Sequence, residues 1–72
     1  MVNVQKLKGK IVERGFSMSA FAEAIGVYVS TLYRRFSDDG KSFTIGEIER
    51  IAEVLELSSA EIHDIFFVQK VA

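Results

Sequence analysis

Cysteine and proline are both absent from this 72-residue chain. Without cysteine there can be no disulfide framework and no thiolate metal site. No apolar run approaches the roughly 18–20 residues of a membrane span, and the first residues lack the apolar region of a signal peptide. These absences argue against secreted disulfide-rich and membrane-spanning proteins. We expect a soluble protein of the cytoplasm.

Groups of catalytic side chains are lacking as well. The single histidine, His63, is followed by Asp64, and adjacent residues on a helix point about 100° apart. The glutamates between residues 47 and 56 are typical of a solvated acidic surface, not of paired carboxylates in a cleft. A metal site would need more converging ligands than we find. The sequence therefore predicts no enzyme, no metal site and no cofactor.

Nearly half of the residues, 49%, are hydrophobic, which is enough for a small helical core. A chain of this length is typical of one domain, and we find no repeat, low-complexity tract or linker. Such a chain buries only about 60% of its unfolded surface, so we expect modest stability. We predict a single domain over residues 1–72.

The charges are unevenly distributed, although the net charge is only −1. Residues 1–36 carry six basic and two acidic side chains, a balance of +4, whereas residues 37–72 carry three basic and eight acidic ones, a balance of −5. A one-sided field of this kind can orient a protein on a polyanion. The alternative is that the acidic half only keeps the protein soluble.

Apolar residues recur at helical spacing almost throughout, and no convincing strand pattern is present. A first helix ends near Gly15, a second lies between Ser17 and Gly26, and a third runs from about Val29 to Phe36. The apolar residues that define these helices are Val4, Leu7, Ile11, Val12, Phe21, Ala22, Ile25, Leu32 and Phe36.

Two capping boxes predict the remaining helix starts. Thr44 with Glu47, and Ser58 with Glu61, each place a hydroxyl three residues before a glutamate. We expect the inner faces of these helices to carry Ile48, Ile51, Ala52 and Leu55, and then Ile62, Ile65 and Phe66. The prediction is an all-α fold of five short helices.

Residues 17–36 have the pattern of a helix-turn-helix. An apolar, alanine-rich helix ends at Gly26, which tolerates the positive φ of a tight turn, and small Ala22 permits close packing. The next helix has an apolar inner face and an outer face rich in Ser, Thr, Tyr and Arg. The second helix of such a motif enters the DNA major groove.

With these features the chain resembles the Cro/CI-type (XRE-like) helix-turn-helix domains of phage repressors, which have a lambda-repressor-like fold. The resemblance extends from LKGKIVERG at residues 7–15 to EIHDIFF at residues 61–67. The opening segment, TLYRRF at residues 31–36 and FTIGEIERIAEVL at residues 43–55 look most like short phage-encoded regulators of Gram-positive hosts. The resemblance implies a regulator in the cytoplasm of a bacterial host cell.

The resemblance places the DNA-reading surface on the third helix. The implied contact residues are Tyr28, Val29, Ser30, Thr31, Tyr33 and Arg34. Arg34 is the first candidate for base reading, because a guanidinium pairs bidentately with guanine O6 and N7. The alternative is an exposed surface arginine with a solvated head. Most of the others have an alternative role. Val29 contacts a thymine methyl or packs on the second helix, and Tyr33 contacts phosphate or covers apolar surface. The hydroxyls of Ser30 and Thr31 donate hydrogen bonds to phosphate or base, or form hydrogen bonds at the start of the helix.

Three of the implied positions depart from the family pattern or have two possible partners. Met18 stands where many members have a glutamine that touches the DNA backbone, and methionine has no donor. Tyr28 replaces a polar N-cap, so either the helix start is weaker or Tyr28 itself lies against DNA. Arg35 is expected to meet phosphate or an acidic neighbour such as Glu47. Further contacts with the DNA backbone are predicted for Lys6, Lys10, Lys41 and Ser42; such contacts position the protein without reading the sequence. The alternative is that these lysines are only solvated.

The C-terminal segment IFFVQKVA carries more apolar side chains than a five-helix core requires. Phe67, Val68 and Val71 exceed that need, and exposed apolar surface often marks an interface. Because repressor-type domains act as two-fold dimers on paired half-sites, we expect these residues to form a homodimer interface. The alternative is that the tail packs on its own helices.

Two functions follow. The first is a sequence-specific regulator that binds double-stranded DNA in the major groove, a Cro-like phage or prophage repressor that occludes an operator as a dimer. The second keeps the fold without the DNA, as a protein-interaction module such as an antirepressor or assembly adaptor that binds another regulator.

Overall fold

Five helices make up the computed structural model of the protein, which describes residues 2–67. They are α1 (Val4–Glu13), α2 (Met18–Ile25), α3 (Val29–Ser37), α4 (Ile45–Val54) and α5 (Ser59–Phe66). No strand occurs within residues 2–67, so the all-α prediction is confirmed. None of the helices in this range is long and apolar enough to cross a membrane.

Side-chain caps start four of the five helices. Asn3 and Ser17 accept hydrogen bonds from backbone N–H groups of α1 and α2, both at 3.1 Å. Both predicted capping boxes are complete, at Thr44 for α4 and Ser58 for α5. The exception is α3, because its N-cap residue Tyr28 makes no side-chain capping bond.

One hydrophobic core joins all five helices. Its centre is occupied by fully buried side chains such as Phe21 and Leu32, and Phe43 extends it by edge-on ring contacts with Phe36 and Phe66. The buried core residues are Leu7, Ile11, Phe21, Ala22, Ile25, Leu32, Phe36, Ile51, Leu55, Ile65 and Phe66. The core therefore holds the α2–α3 pair against α1, α4 and α5.

Some of the apolar residues at helical spacing are not fully buried. Val12 is 67% exposed, because it follows buried Ile11 by one residue and the helix turns by about 100° between them. Ile48, Ala52 and Ile62 are only half-buried, since they line an open groove between α4 and α5.

The turn between α2 and α3 depends on Gly26. Its φ of 79° is in the left-handed region, and its N–H closes the last turn of α2 by bonding to the Glu23 carbonyl at 3.1 Å. The Val27 N–H bonds to the Ala22 carbonyl at 3.0 Å. From α4, Arg50 Nη1 donates to the Ile25 carbonyl at 3.2 Å, so the end of α2 is also fixed from outside the motif.

We predict that Gly26→Ala lowers the free energy of unfolding by about 1–2 kcal/mol, because an L-residue is strained at this φ. The matched control is Gly9→Ala, in the interior of α1 where an added Cβ meets nothing within 4 Å. That change should raise the free energy of unfolding by about 0.5–1 kcal/mol. Urea unfolding followed by circular dichroism measures both, and equal effects would contradict the role given to Gly26.

Candidate nucleic-acid interface

The outer face of α3 carries a row of exposed polar side chains. Ser30, Tyr33 and Arg34 are all exposed, while Leu32 and Phe36 on the opposite face are buried. Within residues 2–67, the Arg34 guanidinium makes no hydrogen bond or ion pair. This helix face is therefore available to an external partner.

The start of α3 carries the most exposed large hydrophobic side chain among residues 2–67, that of its N-cap residue Tyr28. Tyr28 is 83% exposed and uncapped, whereas Val29 and Thr31 are half-buried. Val29 also packs against the core, which is one of its two expected roles. A shallow surface cleft of about 570 Å³ runs beside this turn and is lined by Ser19, Glu23, Gly26, Val27, Tyr28 and Val29.

Arg35 points to α4 instead of the outer face. Its Nε and Nη2 donate to the two carboxylate oxygens of Glu47 at 3.2 and 3.0 Å. Of the two partners expected for Arg35, the structure shows the acidic neighbour. The pair is mostly shielded from water, with side-chain exposures of 21% for Arg35 and 12% for Glu47.

Glu47 serves two partners at once. Its Oε1 also accepts the Thr44 N–H at 3.0 Å, which completes the capping box of α4. Burial raises the pKa of Glu47, but the hydrogen bonds from Arg35 and Thr44 outweigh it, and the net pKa is lowered. The carboxylate is therefore ionised at neutral pH and fixed in orientation by both helices.

The residues predicted to contact the DNA backbone lie in different environments. Met18 is half-buried and packs on the core. Lys41 is exposed in the loop after α3, where the Ser42 hydroxyl donates to Asp38 Oδ2 at 2.6 Å. Of these residues, Lys41 and Ser42 lie in the loop that joins α3 to α4.

Lys10 lies on α1 and pairs with two carboxylates. Its Nζ pairs with Glu13 at 3.1 Å and with Glu61 of α5. A second link between α1 and α5 joins Lys6 to Asp64 at 3.3 Å. The predicted phosphate contact of Lys10 would have to compete with two carboxylates.

Two arginines that bond to the C-terminal carbonyls of α2 and α4 were missed by sequence reasoning. Arg50 donates a hydrogen bond from Nη1 to the Ile25 carbonyl, and Arg14 donates one from Nε to the Leu55 carbonyl at 2.9 Å. Each closes the C-terminal end of a neighbouring helix. No local pattern signals such contacts, because they join residues 25 and 41 positions apart.

At the C-terminal end, Phe67 is 55% exposed. It lines the α4–α5 groove, about 320 Å³ in volume, together with Ile45, Ile48, Glu49, Ala52 and Ile62. Val68 and Val71, the other two predicted interface residues, lie outside the described residues.

Comparison with known families agrees with this geometry. Residues 7–62 match the family model HTH_3, described as helix-turn-helix. The chain belongs to this family. HTH_3 domains are XRE-type DNA-binding regulatory domains, and the match includes the whole α2–α3 motif with α4. A search of curated proteins found no significant match.

The α1–α5 ion pair of this HTH_3 domain predicts an acid-sensitive contribution to stability. Hydrogen bonds from Lys10 and from the Ser58 N–H lower the pKa of Glu61 to about 2 from 4.5. Because the folded-state pKa is depressed, the stabilisation is complete above the unfolded pKa and is lost as pH falls through the folded pKa.

We therefore expect Glu61→Gln to lower Tm at neutral pH, with the difference from wild type shrinking between about pH 5 and pH 2. Lys10→Met should show the same pattern, since it removes the other partner. Thermal unfolding at a series of pH values provides the measurement. A difference that stays constant down to pH 2 would show that the pair does not titrate as described.

Proposed function

We propose that this HTH_3 protein is a sequence-specific transcription regulator that reads the DNA major groove with the outer face of α3. The observation that carries the proposal is the exposed side chain of Arg34, whose guanidinium has no hydrogen-bond or ion-pair partner within residues 2–67, on a helix whose inner face packs in the core through Leu32 and Phe36. A bidentate Arg–guanine contact discriminates by about 1–3 kcal/mol.

The exposure of the neighbouring side chains indicates which of them would also contact DNA. Tyr28, at the tip of the first turn, is placed to reach a base edge or phosphate, and Ser30 and Tyr33 flank Arg34 on the same face. Half-buried Val29 offers part of its side chain to a thymine methyl, and Thr31 is a neighbouring polar contact. We assign Lys41 and Ser42 to the phosphate backbone, with half-buried Met18 as an apolar neighbour.

We further propose a Cro-like repressor, of phage or prophage origin, that acts as a homodimer by occluding an operator that overlaps a promoter. Support for the dimer comes from the α4–α5 groove, where Phe67 and Ile45 leave large apolar areas in solvent. A second copy would cover both, and two-fold pairing places two recognition helices on successive half-sites about one helical turn apart.

A second candidate function is a protein-interaction module without DNA binding. The same apolar groove, bordered by the carboxylate of Glu49, favours it, because such a surface suits an apolar segment of another regulator. Absence of any shift of random duplex DNA at low salt would favour this alternative.

DNA reading by Arg34 is tested by selecting duplexes from a random pool and comparing Arg34→Ala with Lys41→Ala. We expect Arg34→Ala to reduce the preference for selected over random duplex by about 10-fold or more. Lys41→Ala should weaken both duplexes alike and reduce the salt slope by about one. If both variants lose only general affinity, Arg34 is not the base reader.

The dimer is tested by sedimentation equilibrium at tens of micromolar protein. Phe67→Ser should shift the wild-type dimer toward monomer, because it removes the most exposed ring of the groove. The matched control is Val12→Ser, which removes another exposed apolar side chain, 67% against 55% for Phe67, on α1 and outside the groove. A monomeric wild type at this concentration would contradict the dimer.

A further inference from the structure

Two contacts from α4 hold the two helices of the reading motif. Arg50 bonds to the last carbonyl of α2, and Glu47 binds Arg35 near the end of α3. We propose that Glu47 is a positioning residue for DNA recognition, which fixes the recognition helix through Arg35 so that Arg34 reaches the base edges. The inference rests on the proposed function and concerns a residue that makes no DNA contact itself.

The geometry of the pair is suited to fixing an orientation. A guanidinium fork that donates two parallel bonds to one carboxylate restricts both side chains more than a single bond does. Glu47 has little freedom of its own, because Oε1 also accepts the Thr44 N–H. A shift of Arg35 therefore requires either breaking the ion pair or uncapping α4.

The position of Arg35 transmits this restraint to the reading face. Arg35 and Arg34 are adjacent, so their side chains leave the helix about 100° apart. With Arg35 held against α4, rotation of α3 about its axis is opposed, and Arg34 keeps its outward direction. The missing side-chain cap at Tyr28 makes this restraint more important, because the other end of α3 has no equivalent bond.

The Glu47 contacts also connect the proposed base-reading helix with the loop proposed to contact the DNA phosphates. Thr44 directly follows the loop that carries Lys41 and Ser42, and Glu47 holds Thr44 and Arg35 at one carboxylate. The base-reading side chain and the proposed phosphate contacts are thereby kept at a fixed separation. Loss of the carboxylate should reduce discrimination between sequences more than general affinity.

The chain contains a matched control for the test. Glu61 occupies the same third position of a capping box, and it also pairs with a cation on another helix, but it contacts α1 instead of α3. Glutamine can replace glutamate in a capping box, so Glu47→Gln and Glu61→Gln both keep the cap and lose the ion pair. Circular dichroism establishes that both variants are folded.

Binding of each variant to a selected duplex and to a random duplex gives a specificity ratio. We expect Glu47→Gln to lower that ratio about tenfold, as partial loss of one bidentate base contact would, and Glu61→Gln to leave it unchanged. A merely structural role would lower the folded fraction and so weaken both duplexes equally. An unchanged ratio for Glu47→Gln would overturn the proposal.

A DNA-free measurement separates failure of this inference from failure of the proposed function. Hydrogen exchange of the amides in the last turn of α3 should be faster in Glu47→Gln than in Glu61→Gln. If the two variants exchange alike, the positioning role is wrong whatever the DNA result. If wild type binds neither duplex while the exchange differs, the proposed function is wrong and Glu47 only positions α3.

Arg35→Gln completes the experiment. If Arg35 acts through Glu47, the double variant Arg35→Gln/Glu47→Gln should lose no more specificity than either single variant. Direct phosphate binding by Arg35 would instead weaken random duplex and reduce the salt slope by about one, which would contradict the proposal.

Discussion

The length of the helices is the constraint on which the described fold depends. None exceeds ten residues, and isolated helices shorter than about 12–15 residues are marginal in water. Each helix must therefore gain stability from the shared core and from its ends. Two kinds of end contact meet this need: side-chain caps at the starts, and arginines from other helices at the C-terminal carbonyls of α2 and α4. The fold and the exposed face of α3 consequently depend on the same core packing and the same end contacts.

The fold was predictable because its signals are local. Ser17, Gly26 and the two capping boxes act within four residues along the chain, and they set the helix boundaries that the structure shows. The side-chain environment of the candidate site was less predictable. Whether Lys10 faces solvent or Glu61 depends on how α1 packs on α5, and no spacing along the chain reports that packing.

Charge illustrates the difference between sequence and structure most clearly. Residues 1–36 carry a net charge of +4, but three of their six basic side chains pair with carboxylates of residues 37–72. The pairs are Lys6–Asp64, Lys10–Glu61 and Arg35–Glu47. Much of the apparent asymmetry is therefore used to join helices. What remains for a polyanion is a small number of side chains around α3, so recognition cannot rely on a broad positive surface.

The exposed face of α3 has a consequence for how such a protein can change. Ser30 and Arg34 make no side-chain hydrogen bond or ion pair within residues 2–67, and Tyr28 caps nothing. Surface substitutions away from caps and core usually alter stability by less than about 0.5 kcal/mol. The exposed residues of α3 can thus vary almost without cost to folding, while Glu47 holds α3 through Arg35, and Arg50 and Gly26 fix the end of α2. Under the proposed function, single substitutions on an unchanged scaffold would therefore be enough to change the target sequence.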